Sequence, residues 1–172
     1  GDMTLSDGYG MMIQDSDSNT LTMTGDITST EGDYAVGAYF YNSDSNILTV
    51  RNITSVGTIS GWGILLTGSD SNTININGKV SASGGDNNAI TADSTSDNNT
   101  ITFNQGSKII GGLYNDGTNN TLTFNLGRAA SYNFTTSGAV NWVLEDTSKP
   151  IVEGSAKSMG VADIDNQAHI LY

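Results

Sequence analysis

The chain has 172 residues, of which 18 are Asp or Glu and 6 are Lys or Arg, so its formal net charge is −12. That sign opposes binding to nucleic acid and anionic lipid, since both need Lys and Arg to neutralise phosphate. The absence of Cys excludes disulfides, thiolate metal sites and a cysteine nucleophile, one His excludes multi-His zinc, and no run of about 18 apolar residues offers a spanning helix.

Low apolar content (36%) with high net charge is a signature of disorder, but only 14% of the residues are charged. The polar remainder is Ser, Thr, Asn and Gly, a mixture of strand and turn residues. Glu occurs only at Glu31, Glu145 and Glu153, and no stretch before residue 150 keeps a helical apolar period. The chain opens on Gly1 without an initiator Met or leader, as a processed or excised piece would.

An internal repeat organises the rest. Ser16-Asp17-Ser18-Asn19 returns as Ser43-Asp44-Ser45-Asn46 and Ser69-Asp70-Ser71-Asn72, then more loosely as Ser96-Asp97-Asn98-Asn99 and Gly117-Thr118-Asn119-Asn120. The last Asn of each tetrad recurs after 27, 26, 27 and 21 residues. A stretch of period-2 alternation follows each tetrad, beginning at Thr20, Ile47, Thr73, Thr100 and Thr121. Its inward positions form two columns: Leu21, Leu48, Ile74, Ile101, Leu122, and Met23, Val50, Ile76, Phe103, Phe124.

A more apolar strand precedes each tetrad, at Gly10–Ile13, Gly37–Phe40, Gly63–Leu66, Asn88–Ala92 and Gly112–Tyr114, and a third short piece ends near Ile27, Ile53, Val80 and Ile109. Three short strands per period describe one coil of an all-β, single-stranded, right-handed parallel β-helix (β-solenoid). About six coils at about 4.8 Å each make a rod about 30 Å long. The turn Asn is expected to take left-handed backbone angles and to form side-chain ladders between coils. Antiparallel hairpins in a sandwich are the alternative, hinted at only by Asn77-Gly78 and Asp116-Gly117.

Residues 1–126 hold the repeats. Over 127–157 the character changes: Tyr132-Asn133-Phe134 and Ala139 to Leu144 read as a more aromatic strand pair around Ser137-Gly138, a C-terminal β cap that closes the open end of the stack. Residues 145–158 contain the single proline and read as an extended connection, and Val161 to Tyr172 is the one candidate helix or adapter. Asn141-Trp142-Val143-Leu144, the run from Ser148 to Val161 and the end from Asp165 to Tyr172 resemble the end of an autotransporter (type V secretion) passenger domain. The resemblance implies a β-helical stem with an autochaperone-like cap, then a linker, 158–172, toward an outer-membrane β-barrel of the same polypeptide. It also implies a Gram-negative cell-surface or secreted location, a monomer, and a host glycan or protein as external partner. A cysteine-free chain suits threading through a narrow pore.

On this reading the chain is a non-catalytic stem without cofactor or metal, and Phe103, Phe124, Tyr132, Phe134 and Trp142 form the folding nucleus and cap. The alternative is a carbohydrate-binding or carbohydrate-active β-helix. Asp17, Asp44, Asp70 and Asp97 line one edge, and one carboxylate per coil gives calcium few oxygens, so they are read as Asx-turn caps. The pairs Asp15/Asp17 and Asp163/Asp165 have glycosidase chemistry but sit in a turn and in the junction. Ser83-Gly84-Gly85-Asp86 lacks the Lys of a phosphate loop, and His169 stands without ligand partners in the sequence. Asn52, Asn98, Asn119 and Asn133 match glycosylation acceptors by composition alone. Trp62, between two glycines, reads as a core or rim residue, with a sugar-stacking ring as the alternative.

Overall fold

A computed structural model describes residues 3–5, 8–30, 32–125, 131–140, 143–146 and 168–171. Alternation after each tetrad becomes the strands β3 (Thr20–Thr30), β5 (Ile47–Val56), β7 (Thr73–Ile76), β10 (Thr100–Phe103) and β13 (Thr121–Phe124). The strand before each tetrad becomes β2 (Gly8–Gln14), β4 (Tyr34–Tyr41), β6 (Ser60–Thr67), β9 (Asp86–Ala92) and β12 (Gly112–Asn115). The third piece continues β3 and β5 without a break, but separates as β8 (Lys79–Ser83) and β11 (Lys108–Ile110) where Asn77-Gly78 and Asn104 to Ser107 interrupt the alternation. The ends carry β1 (Met3–Leu5), β14 (Ser131–Val140), β15 (Val143–Asp146) and β16 (Ala168–Leu171).

Two sheets result, parallel throughout except between β14 and β16. One runs β1-β3-β5-β7-β10-β13-β15, with β8 on β5 and β11 on β8; the other runs β2-β4-β6-β9-β12-β14-β16. Leu21 pairs with Leu48, Leu48 with Ile74, Ile74 with Ile101 and Ile101 with Leu122, so each residue lies on its counterpart one repeat later. Parallel pairing between repeats rules out the hairpin sandwich and makes the molecule a β-solenoid. Its described turns, from Asn19 to Asn120, number about four rather than six. The difference lies in end segments that only partly close a coil: β1 pairs with β3 over just Ile27 to Ser29.

The last full turn is short because its strands are short. β12 has four residues against seven in β9, and its register steps from Asn88 at Gly112 to Ile90 at Leu113. Thr91 Oγ1 and Asn115 Nδ2, buried on these two strands, are without a hydrogen-bond partner. Beyond it, β14 runs unbroken through Ser137-Gly138, where a turn between two strands was expected. Ala168–Leu171, within the segment read as a helix or adapter, is a strand antiparallel to β14. Most of the linker, including Asp163 and Asp165, and the extended connection after Asp146 lie outside the described residues.

The predicted columns form the core. Leu48, Val50, Ile74, Ile76, Ile101, Phe103 and Leu122 are fully buried, while Leu21 and Met23 at the end of the stack are partly exposed. Each complete burial of such a side chain contributes about 1.5–3 kcal/mol. Opposite a third buried column, Ile27, Ile53 and Val80, the other sheet keeps glycine at Gly10, Gly37 and Gly63, because the two sheets approach closely there. A Cβ on Gly37 would stand 2.3 Å from Ile53 Cγ2 and 2.6 Å from the carbonyl oxygen of Gly63. Gly37→Ala therefore forces backbone of the next coil to move, and should lower stability by about 1–3 kcal/mol in urea unfolding.

Candidate functional site

Two features stand out from the repeating frame: the polar turn that joins the sheets, and an aromatic patch on one outer face.

Each turn begins in a corner and ends on the tetrad. Its third residue is left-handed, with φ of 59° at Ser18, 58° at Ser45 and 57° at Ser71, Asn98 and Asn119. The expected left-handed residue, the final Asn, keeps negative φ; the one before it makes the turn. That frees the Asn to bond across coils. The backbone N–H groups of Asn19, Asn46, Asn72 and Asn99 donate to the Oδ1 atoms of Asn46, Asn72, Asn99 and Asn120, at 2.8–2.9 Å. The side-chain amides of Asn46, Asn72, Asn99 and Asn120 donate back to the carbonyls of Ser16, Ser43, Ser69 and Ser96, at 2.7–2.9 Å. All four of these Asn residues are fully buried.

Ser and Asp repeat the device with opposite senses. Ser16, Ser43 and Ser69 donate their N–H to the Oγ of Ser43, Ser69 and Ser96 in the following coil. Asp17, Asp44, Asp70 and Asp97 instead accept, through Oδ1, the N–H of Asp44, Asp70, Asp97 and Thr118 at 2.6–2.8 Å. These carboxylates thus bridge coils, where Asx-turns within their own coil were expected; stacking brings the next coil's N–H into reach. Asp15 lies beside this edge, exposed, and accepts from Asn42 Nδ2. Among the described residues no three His, Asp or Glu side chains gather as a metal site requires.

The outer face of the second sheet is different. Tyr9, Tyr34, Tyr39 and Trp62, with Gly8, Val36 and Leu65, line a shallow groove of about 360 Å³. The rings of Tyr34 and Trp62 are nearly parallel, 8° apart with centroids at 6.2 Å; those of Tyr9 and Tyr39 stack at 5.0 Å. Tyr34 and Tyr9 are 56% and 44% exposed. Trp62 is half-buried on this face, a rim residue and not a core one. Burial and the nearby Tyr9, Tyr41 and Asp93 raise the Tyr39 phenol above its ordinary pKa. In the amino-acid sequence only Trp62 hints at the patch; its partners come from two other strands.

Of the nucleus residues, Phe103 is fully buried and lies in register with Phe124. Tyr132 and Phe134 fall on β14, in register with Ile170 and Ala168, and His169 pairs with Asn133. Trp142 lies outside the described residues. The structure therefore brings Phe103 and Phe124 together on adjacent strands. Asn52, one of the glycosylation triplets, is engaged: its Nδ2 donates to Asp26 and its Oδ1 accepts the N–H of Lys79. Arg51, Lys79 and Lys108 all sit on the first sheet, none on the aromatic face.

Asn72→Ala removes an acceptor from Asn46 N–H and a donor from the Ser43 carbonyl, both buried, and should cost about 2–5 kcal/mol in urea unfolding; Asn19→Ala, at the exposed end, should cost under about 1 kcal/mol. Arg51 Nε donates to Asp26 Oδ1 at 2.7 Å, and this bond holds the carboxyl below its ordinary value. Its stabilisation is present above the unfolded-state pKa and is lost as pH falls through the lowered folded one. With both side chains substantially exposed the effect is small, and Arg51→Met should raise the Asp26 pKa in an NMR titration.

Comparison with known protein families, with curated proteins and with solved structures found no match.

Proposed function

We propose that the chain is a non-catalytic β-solenoid stem of a secreted or surface-displayed autotransporter passenger, which folds coil by coil from its C-terminal side as it emerges. The observation that carries this reading is the polarity of the Asn ladder. Asn19, Asn46, Asn72 and Asn99 each donate their N–H to the coil that follows in sequence, and the buried amides of Asn46, Asn72, Asn99 and Asn120 bond back to the coil before, so a coil added on the N-terminal side finds acceptors for its N–H groups and satisfies the amides of the edge it docks on. Asn19 is exposed, and it holds the position that in each later coil accepts the N–H of the preceding Asn. Around it Met12, Ile13, Gln14, Ser16, Thr20 and Leu21 line an open recess of about 370 Å³ at the end of the stack. Parallel strands far apart in sequence fold slowly, and a preformed edge supplies the missing template.

In this reading the C-terminal β segments, with Phe103, Phe124, Tyr132, Phe134 and Trp142, form the nucleus, and an outer-membrane barrel of the same polypeptide is the partner. Pulse-labelled hydrogen exchange during refolding should show amides around Asn99 and Asn120 protected before those around Asn19 and Asn46. Protection in the opposite order sinks the proposal, as does a chain lacking 127–157 that folds as fast and as stably as the whole. The coding sequence beyond Tyr172 tests the family separately: it should hold the alternating, aromatic-girdled strands of a barrel. A carbohydrate-binding role has one observation in its favour, the aromatic groove.

A further inference from the structure

We propose that the groove on the outer face of the second sheet binds a neutral glycan, stacked on Trp62 and Tyr34 and flanked by Tyr9 and Tyr39. This does not depend on the stem reading, because a solenoid from any source presents the same face.

Cross-strand aromatic pairs ordinarily stabilise a sheet, by about 0.2–1 kcal/mol each. Pairs that served the rod as a whole would run the length of the stack, as the Asn ladder does. These stop. The column of Tyr9, Val36 and Trp62 continues as Asn88, and that of Met12, Tyr39 and Leu65 continues as Thr91. Tyr34 is followed by Ser60 and then Asp86. The groove's rings are thus gathered on β2, β4 and β6, and polar residues on β9 separate them from Tyr114, which follows Thr91 on β12. Leaving Tyr34 and Tyr9 about half exposed sets apolar ring surface in water, as a binding face does.

The chemistry of the surroundings selects the ligand. No Lys or Arg stands on the described strands of this sheet, while Asp33 and Asp86 adjoin the aromatic columns, so phosphate, sulfate or carboxylate groups find no counter-charge here. A pyranose fits better. Its apolar C–H face stacks on a flat ring, and its hydroxyls can donate to a carboxylate at the margin such as Asp86 and exchange hydrogen bonds with the Tyr hydroxyls. Gly8, without a side chain, leaves one side of the groove low, and the Tyr34 and Trp62 rings lie nearly parallel beside it.

The whole chain should be screened on an array of neutral, anionic and amine-bearing glycans, and the best ligand titrated while Trp fluorescence is followed. The expected result is binding to neutral glycans that is insensitive to salt and perturbs the fluorescence. Trp62→Thr and Tyr34→Thr, each checked for an unchanged far-UV spectrum, should each weaken it about tenfold, about 1.4 kcal/mol. Tyr9→Ser, on the edge strand, supplies a third variant should either of those disturb folding. The proposal is overturned if no glycan binds, if only anionic or only amine-bearing glycans bind with strong salt dependence, or if affinity survives the ring substitutions. The order of folding in hydrogen exchange is untouched by any of these results, so the two proposals fail separately.

Discussion

The buried amide ladder is the constraint from which the rest of the stack follows. Asn46, Asn72, Asn99 and Asn120, buried at successive turns, must each satisfy both ends of the side-chain amide, and an unmet buried polar group costs about 1–3 kcal/mol. Only one stacking does so: Oδ1 toward the preceding coil's N–H and Nδ2 toward that coil's Ser carbonyl. A shift of one residue would leave several groups unpaired at each turn and turn the apolar columns to water. The ladder therefore sets register, and the inward columns supply the hydrophobic driving force.

The turn residues divide the work by chemistry. Ser18, Ser45 and Ser71 take the left-handed conformation, leaving the adjacent Asn in place to bond. Ser43, Ser69 and Ser96 are buried and accept from the coil before them. The Asp column remains nearer water, where a carboxylate accepts an N–H without being stripped of solvent. The Asn and Ser ladders send their N–H groups to the following coil and the Asp ladder accepts from it, which gives the stack a direction and unlike surfaces at its two ends.

The glycine column has a second consequence. The pairing between β2, β4 and β6 skips Gly10, Gly37 and Gly63. Past that irregularity the alternation is displaced by one, so residues three apart share the outer face: Val36 with Tyr39, and Trp62 with Leu65, all line one groove. The close approach that demanded glycine inside thus also collects the rings outside. Core packing and the aromatic patch share one cause.

Much of this was legible in the sequence because it is local. Alternation at Thr73-Ile74-Asn75-Ile76, a tetrad rich in turn residues and a near-constant period are read along the chain, and they suffice for the parallel solenoid and its apolar columns. Which turn residue is left-handed, that Asp17 and its counterparts reach across coils, that β16 is a strand, and that four rings from three strands meet were decided by tertiary structure. Each depends on atoms that stacking brings together from about a repeat away, and on a break in alternation at glycine whose effect on side-chain direction appears only when the neighbouring coil is in place.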